Sequence, residues 1–152
     1  MPHKPAHWLY PIKPGSGHWF EDDDGQPILD PQTGDPNTSV AAFRRSVKVS
    51  TSAQWYLRSG FHVMKTDDLI WIYAGAPEQA VVGLGRVSRV NYDTTDDFWY
   101  VDIIWDREAC EALEQQPIPR EEFKIVPRSP AIRPGEAHEG VFDAWLKQRG
   151  LS

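Results

Sequence analysis

The stretch AVVGLGRVSRV, residues 80–90, sets two glycines inside a run of apolar and β-branched residues. That pair limits the fold more than any other feature of the chain. An interior glycine costs a strand roughly 0.5–1 kcal/mol relative to alanine, so it stands where a side chain would obstruct. Gly-Leu-Gly here is no dinucleotide fingerprint, which needs a strand-to-helix junction and a third glycine. Within a strand, Gly83 and Gly85 leave one face bare while Val82 and Leu84 point to the other. Same-face glycines let a strand coil sharply, or let another backbone, ring or ligand come close. The expectation is a small, strongly curved, barrel-like sheet.

The surrounding segments supply its neighbours. LIWIYAG (69–75), QAVVGLGRVSRV (79–90) and FWYVDIIWD (98–106) read as three successive strands, joined by a tight Gly-Ala-Pro-Glu turn and by NYDTTDD. AHWLYPIK (6–13) reads as a first strand, with Pro11 marking an edge or an end. Residues 40–60 mix helical and extended signals. Ser50 or Ser52 is expected to cap a short helix over AQWYLRSG, stopped by Gly60. REACEALEQQ (107–116) is a short helix, and PIPREEFKIV (117–126) adds a helical turn after its proline. The clearest helix is AHEGVFDAWLKQRG (137–150), where Val141, Phe142, Trp145 and Leu146 share a face and Gly150 ends it. Between the first strand and these elements runs a loop, 14–39, punctuated by Gly, Pro, Asp and Asn. Trp19 and Phe20 inside it point to a loop that docks on something. The fold class is a single α+β domain over residues 1–152 with a curved, largely antiparallel sheet.

Composition narrows the chemistry. One cysteine excludes a disulfide framework or a cysteine-rich zinc site and points to a reducing, cytoplasmic compartment. No apolar run approaches the length of a membrane span. The net charge of −6 disfavours nucleic acid, but it hides an asymmetry. Residues 21–38 carry Glu21, Asp22, Asp23, Asp24, Asp30 and Asp35 without a Lys or Arg, whereas 39–65 carry Arg44, Arg45, Lys48, Arg58 and Lys65 without an acid. Because fields are screened within about 8–10 Å, a local patch decides attraction to a phosphate backbone. An unevenly charged, solvated surface accounts for the same pattern. Seven tryptophans build either a large aromatic core or an exposed stacking surface, and composition leaves both open.

In order along the chain, HWLYPIK, QWYLRSGFHVMKTDDLIWIYAG, AVVGLGRVSRV, FWYVDIIWD and PIPREEF together resemble the EVE domain of the PUA-like superfamily, relatives of the YTH and ASCH domains. The resemblance spans about residues 6–126, with the helix near 137–150 beyond it. Two departures stand out. The loop 14–39 is longer and more acidic than the family pattern, and Asp67-Asp68 replaces its usual Gly-Asp pair. The resemblance implies a PUA-like pseudo-barrel that reads a modified base, mostly 5-methylcytosine or a relative in DNA, flipped out of the duplex into an aromatic cage. It also implies a specificity module alongside a restriction nuclease, with no cofactor.

A flipped base needs stacking partners on its faces and hydrogen-bonding groups at its Watson–Crick edge. The candidate pocket residues are Trp55, Trp19, Tyr73, Tyr10, Phe20 and Asp24, with Tyr56 beside Trp55 on the expected helix as a further stacking candidate. Trp55 leads because its counterpart segment in the family lines the pocket and it follows the basic stretch; Trp19 follows because a Gly-flanked acidic loop has little core to join. Asp22 to Asp24 supply acceptors of the kind that bind a cytosine amino group. For any one aromatic, core packing is the competing explanation; for the acids it is a solvated turn. Trp71 and Tyr73 share a strand face opposite Ile70 and Ile72, and Trp99 and Trp105 share a face expected to be core. Arg44, Arg45, Lys48 and Arg58 are the candidate phosphate contacts, with Arg86 and Arg89 as additions.

Other chemistry finds no pattern. His3 and His7 are four apart with Pro5 between them, and His18, His62 and His138 have no ligand-spaced neighbours. DDDG fails the EF-hand spacing, since position one falls on Phe20 and the last on Pro31. Cys110 has no nearby histidine, and GSGH (15–18) is no nucleophile elbow. The reading is a binding module, not an enzyme. An RNA-binding module, a pocket for a free nucleotide-like ligand and a protein-docking helix carrying Phe142 and Trp145 stand as alternatives.

Overall fold

The computed structural model describes residues 5–14, 19–57, 64–95, 97–123 and 136–150, with the side chains of 136–138 left aside. Its elements run β1 (His7–Ile12), α1 (Val40–Val49), β2 (Ser52–Leu57), β3 (Leu69–Ala74), β4 (Ala80–Asp93), β5 (Phe98–Trp105), α2 (Arg107–Gln115), β6 (Ile118–Pro119), α3 (Arg120–Phe123) and α4 (Glu136–Gln148). The strands form one open, mixed sheet in the order β1-β3-β4-β5-β2, with β6 added beside β4. β1 lies parallel to β3 and every other pairing is antiparallel. Parallel neighbours need a long crossover, and the loop, α1 and β2 make up that connection.

The helix expected over 53–60 does not form. Residues 52–57 are a strand, and 58–60 lie outside the described residues. Inward and outward positions alternate through β2, with Ala53, Trp55 and Leu57 facing the core. The helix forms one segment earlier, where Val40, Phe43 and Val47 recur at helical spacing. Ser39 Oγ caps it by accepting from the Ala42 N–H at 3.0 Å.

Both faces of the sheet are buried. On the inner face Ile70, Ile72, Val87, Val101, Ile103 and Trp105 meet Val40, Phe43 and Val47 of α1. On the outer face Leu9, Trp71, Tyr73, Val81 and Leu84 meet Leu113 of α2, Phe123 of α3, and Phe142, Trp145 and Leu146 of α4. The glycines explain how α1 comes so close. A Cβ at Gly83 would land on the Phe43 ring, and one at Gly85 on Ile103 and the Trp105 ring. The ladder also slips by one residue between Ile72 and Tyr73 and between Val87 and Arg89. Bulges of this kind bend a strand and increase its twist. The curl carries the edge strands toward each other until the Tyr10 hydroxyl of β1 donates to the Tyr56 carbonyl of β2 at 2.8 Å. Side chains, not a backbone ladder, bridge that gap.

The loop is ordered by its own acids. Asp22 Oδ1 accepts from the N–H groups of Asp24 and Gln26, both at 2.9 Å, and the buried Asp30 accepts from the Gln32 N–H at 2.7 Å and Asn37 Nδ2 at 3.2 Å. Phe20 and Ile28 pin the loop to the inner-face core. At the start of β3 the two aspartates divide their tasks. Asp67 takes φ +74°, a conformation glycine adopts freely. Asp68 is buried and accepts from the Ala6 and Lys65 N–H groups and from Trp8 Nε1.

Candidate functional site

Three separate segments converge on one cavity of about 370 Å³: Tyr10 to Lys13 of β1 and its end, Trp19, Phe20 and Thr38 of the loop, and Gln54 to Tyr56 of β2, with Tyr100 beside them. The Trp55 ring stacks on Phe20 at 5.6 Å and 30° and lies 4.9 Å from Tyr10. Behind it stands Trp105, edge-on at 5.3 Å. Trp19 is 49% exposed at the rim. Burial holds the Tyr10 phenol far above its usual pKa, with Tyr56 adding to the effect. Its hydroxyl therefore stays a neutral donor, fixed on the Tyr56 carbonyl.

A larger groove of about 870 Å³ adjoins this cavity, sharing Trp19, Phe20, Gln54, Trp55 and Tyr100 with it. Glu21, Asp22, Asp23, Asp93 and Asp102 line the groove, as do Ser46 and Ser50 from the end of α1. Gln54 Nε2 donates to Asp102 at 3.0 Å, and Arg89 pairs with the same carboxylate at 3.0 Å.

Of the six predicted pocket residues, the structure brings together Tyr10, Trp19, Phe20 and Trp55. Tyr73 is a correction. It lies on the outer face, 3% exposed and edge-on to Phe123 at 6.0 Å, where burial raises its pKa with help from Glu121 and against Arg120. Alternation along β3 sends Tyr73 outward with Trp71, while Ile70 and Ile72 face the cavity side. Asp24 is exposed on the loop and lines neither space.

Of the predicted phosphate contacts, Arg44, Arg45 and Lys48 do not line the aromatic cavity. Arg44 and Lys48, one helical turn apart, line a groove of about 360 Å³ between α1 and α2 with Arg107, Glu111 and Glu114. Lys48 sits 3.8 Å from Glu114. Arg45 is exposed outside these spaces, Arg58 lies outside the described residues, and Arg86 pairs with Asp67 at 3.4 Å. Among the described residues, Lys13 is the one basic side chain lining the aromatic cavity. Reading 53–60 as a helix hid this separation. Once α1 ends at Val49, helical spacing sends Arg44 and Lys48 toward α2 and Ser46 and Ser50 toward the groove. Gln54 was missed for the same reason, as was the strand pairing that brings Tyr100 to the cavity, whereas Tyr56, expected as a stacking candidate on that helix, lines the cavity from β2. The signal for them was the period-2 alternation of SAQWYL, which strand pairing then sets opposite FWYVDIIW.

Two other groups are chemically occupied. His7 is 1% exposed and uses both ring nitrogens. Trp71 Nε1 can only donate, so His7 Nδ1 accepts from it at 3.0 Å, which leaves Nε2–H to donate to Asp143 at 2.8 Å. Burial and nearby Asp106 push the Cys110 thiol up to about 11 despite a bond to the Leu84 backbone, so it is protonated at neutral pH. No group of three or more His, Cys, Asp or Glu placed to hold a metal occurs among the described residues. None of the described helices is long and apolar enough to cross a membrane.

The fold and its cavity together define an α+β domain on an open, mixed six-stranded sheet. No family model matches the chain, and no curated protein matches it. Among solved structures it is similar to the crystal structure of protein Atu2648 from Agrobacterium tumefaciens, with a TM-score of 0.49 and 17% identity over 93% of this chain and 89% of that one.

Proposed function

We propose that the chain is a PUA-like binding module, not an enzyme, that takes a modified nucleobase, foremost a modified cytosine flipped out of DNA, into the cavity of Tyr10, Trp19, Phe20 and Trp55. The observation that carries this reading is the convergence of those four rings on one space of about 370 Å³. Ligand pockets run from about 300 to 1,000 Å³, so this one suits a single small planar molecule. Support for the pseudo-barrel comes from the curl that brings the two sheet edges within hydrogen-bonding reach. A nuclease acting on the bound site belongs to the same proposal.

One observation favours a second reading. Glu21, Asp22 and Asp23 stand beside the cavity, and Arg44 and Lys48 do not. Carboxylates there repel flanking phosphates, which favours a free nucleoside over a nucleotide within a duplex. Binding of 5-methylcytosine duplex, plain duplex and 5-methylcytidine at two salt concentrations separates the readings. Preference for the methylated duplex, weakening steeply with salt, supports the DNA reader. Salt-insensitive nucleoside binding with weak, equal duplex binding supports the second. No binding to any of them ends both. Trp19→Ala is the informative variant because its ring is exposed. It should leave melting within about 0.5 kcal/mol of wild type and weaken binding roughly 5- to 150-fold, the loss of one stacking partner.

A further inference from the structure

Outward positions on an antiparallel strand that faces water are ordinarily polar, and β5 departs from that rule. Its Trp99, Val101, Ile103 and Trp105 turn to the inner core, so Phe98, Tyr100, Asp102 and Ile104 alternate to the outer face. Strand pairing sets Tyr56 of β2 directly opposite Tyr100. Phe98 stands two residues farther along β5, its ring edge-on to Tyr56 at 6.2 Å. Phe98 is 48% exposed and Tyr56 40%. The helices that cover the outer face pack over β1, β3 and the first half of β4, and no described helix reaches these rings. Exposed aromatic side chains gathered on one face mark a contact surface.

Two observations indicate what this surface meets. It is continuous with the aromatic cavity, since Tyr56 and Tyr100 line that cavity as well. Its carboxylates are also already engaged. Asp102 accepts from Gln54 Nε2 and from Arg89 Nε, both at 3.0 Å, and Asp93, paired with Phe98 across the ladder, accepts from the Thr95 N–H at 2.8 Å. The bond to Asp102 uses Arg89 Nε, one of five N–H groups on a guanidinium. Rings set side by side with a basic group near them are the elements that hold successive bases of an unpaired strand.

We propose that the face of Tyr56, Phe98 and Tyr100 stacks the nucleotide next to the base held in the cavity, so that the ligand is single-stranded DNA. The inference rests on the base-binding reading above and extends its ligand from one base to two neighbours on one strand. In a duplex the neighbour stays paired and stacked, and bringing it to Phe98 costs a second unstacking; an unpaired strand avoids that cost. Stacking accepts any base at the second position, and Arg89 lies near enough to hold a phosphate without reading sequence.

Titration calorimetry with four probes tests the assignment. They are 5-methyldeoxycytidine, a short single strand with one central 5-methylcytosine, the same strand with abasic sites on both sides of that base, and the strand annealed to its complement. Wild type should bind the intact strand roughly 5- to 150-fold more tightly than the abasic one, the worth of one stacked base, and more tightly than the duplex. Phe98→Ala should lower the intact strand to the affinity of the abasic strand. It should leave the nucleoside unmoved, because Phe98 lines neither the cavity nor the adjoining groove. Melting curves check that the variant folds, and the abasic comparison stands on wild type alone. Equal affinity for the intact and abasic strands, or tighter binding of the duplex, overturns this inference and leaves the base-binding reading standing. Nucleoside binding that falls together with strand binding in a folded Phe98→Ala overturns it as well, since the ring would then act through the cavity. A wild-type dimer in sedimentation that Phe98→Ala dissolves assigns the face to a second copy and overturns it too. No binding of any probe overturns both readings together.

Discussion

A methyl group added at position 83 would sit on the Phe43 ring, whose helix cannot retreat without uncovering the inner-face core. Gly83→Ala is therefore expected to destabilise by about 1–3 kcal/mol, the usual cost of overpacking. Scanning calorimetry should read this as a melting point lower by about 2–4 °C per kcal/mol. Asp30 yields a prediction of a different kind. The Gln32 N–H, then Ser39, then Asn37 and Thr33 hold its carboxyl below the usual carboxylate range, against an opposing contribution from burial. A depressed folded-state pKa contributes stability above the unfolded value of about 3.9, and that stability fades as pH falls further through the folded value. Asp30→Asn should accordingly be less stable than wild type at pH 7, and the gap should close below about pH 4. Urea midpoints across that range measure it. At this scale the sequence was informative where one residue has one explanation, as with the paired glycines. It was silent on Tyr73, because β3 is apolar on both faces and alternation alone assigns no inside.

Among the elements, β1, β3, β4, β5, α2 and α4 fall within a few residues of where periodicity put them. Each has a run long enough for one period to dominate. The 40–60 region failed because two short patterns abut: α1 stops at Ser50, and the alternating SAQWYL begins two residues later. A serine there reads equally well as a cap or as a strand start. The resulting error moved Trp55 from strand to helix and linked it wrongly to the basic residues. α4 carries an energetic prediction. Phe142 is fully buried between Trp71, at 4.8 Å, and Phe123, at 5.6 Å, while Asp143 ties the same helix to His7. Phe142→Ala should cost about 3–5 kcal/mol, enough to bring a marginally stable domain near its limit. Chemical denaturation measures the loss. It also tests the alternative of α4 as a docking helix, since a face devoted to a partner would show little change.

For the whole molecule, curvature was legible and connectivity was not. The glycines and apolar strands implied a coiled sheet, but nothing in the residues specified that β1 runs parallel to β3. Strand direction is fixed by the crossover, and that crossover passes through the loop and the 40–60 region, the two segments hardest to read. Charge followed the same rule. The acidic and basic blocks are contiguous in sequence, yet α1 carries Arg44 and Lys48 to the α2 side while the loop leaves Glu21, Asp22 and Asp23 at the groove. The Tyr10–Tyr56 bridge has a mechanical consequence. A sheet whose margins are joined by phenol and indole, without a ladder of amides, has a seam that can part without breaking β structure. The cavity lies along that seam. A guest lodged there therefore acts as a wedge or a clasp, and the stiffness of the whole curl becomes a property of the occupied protein.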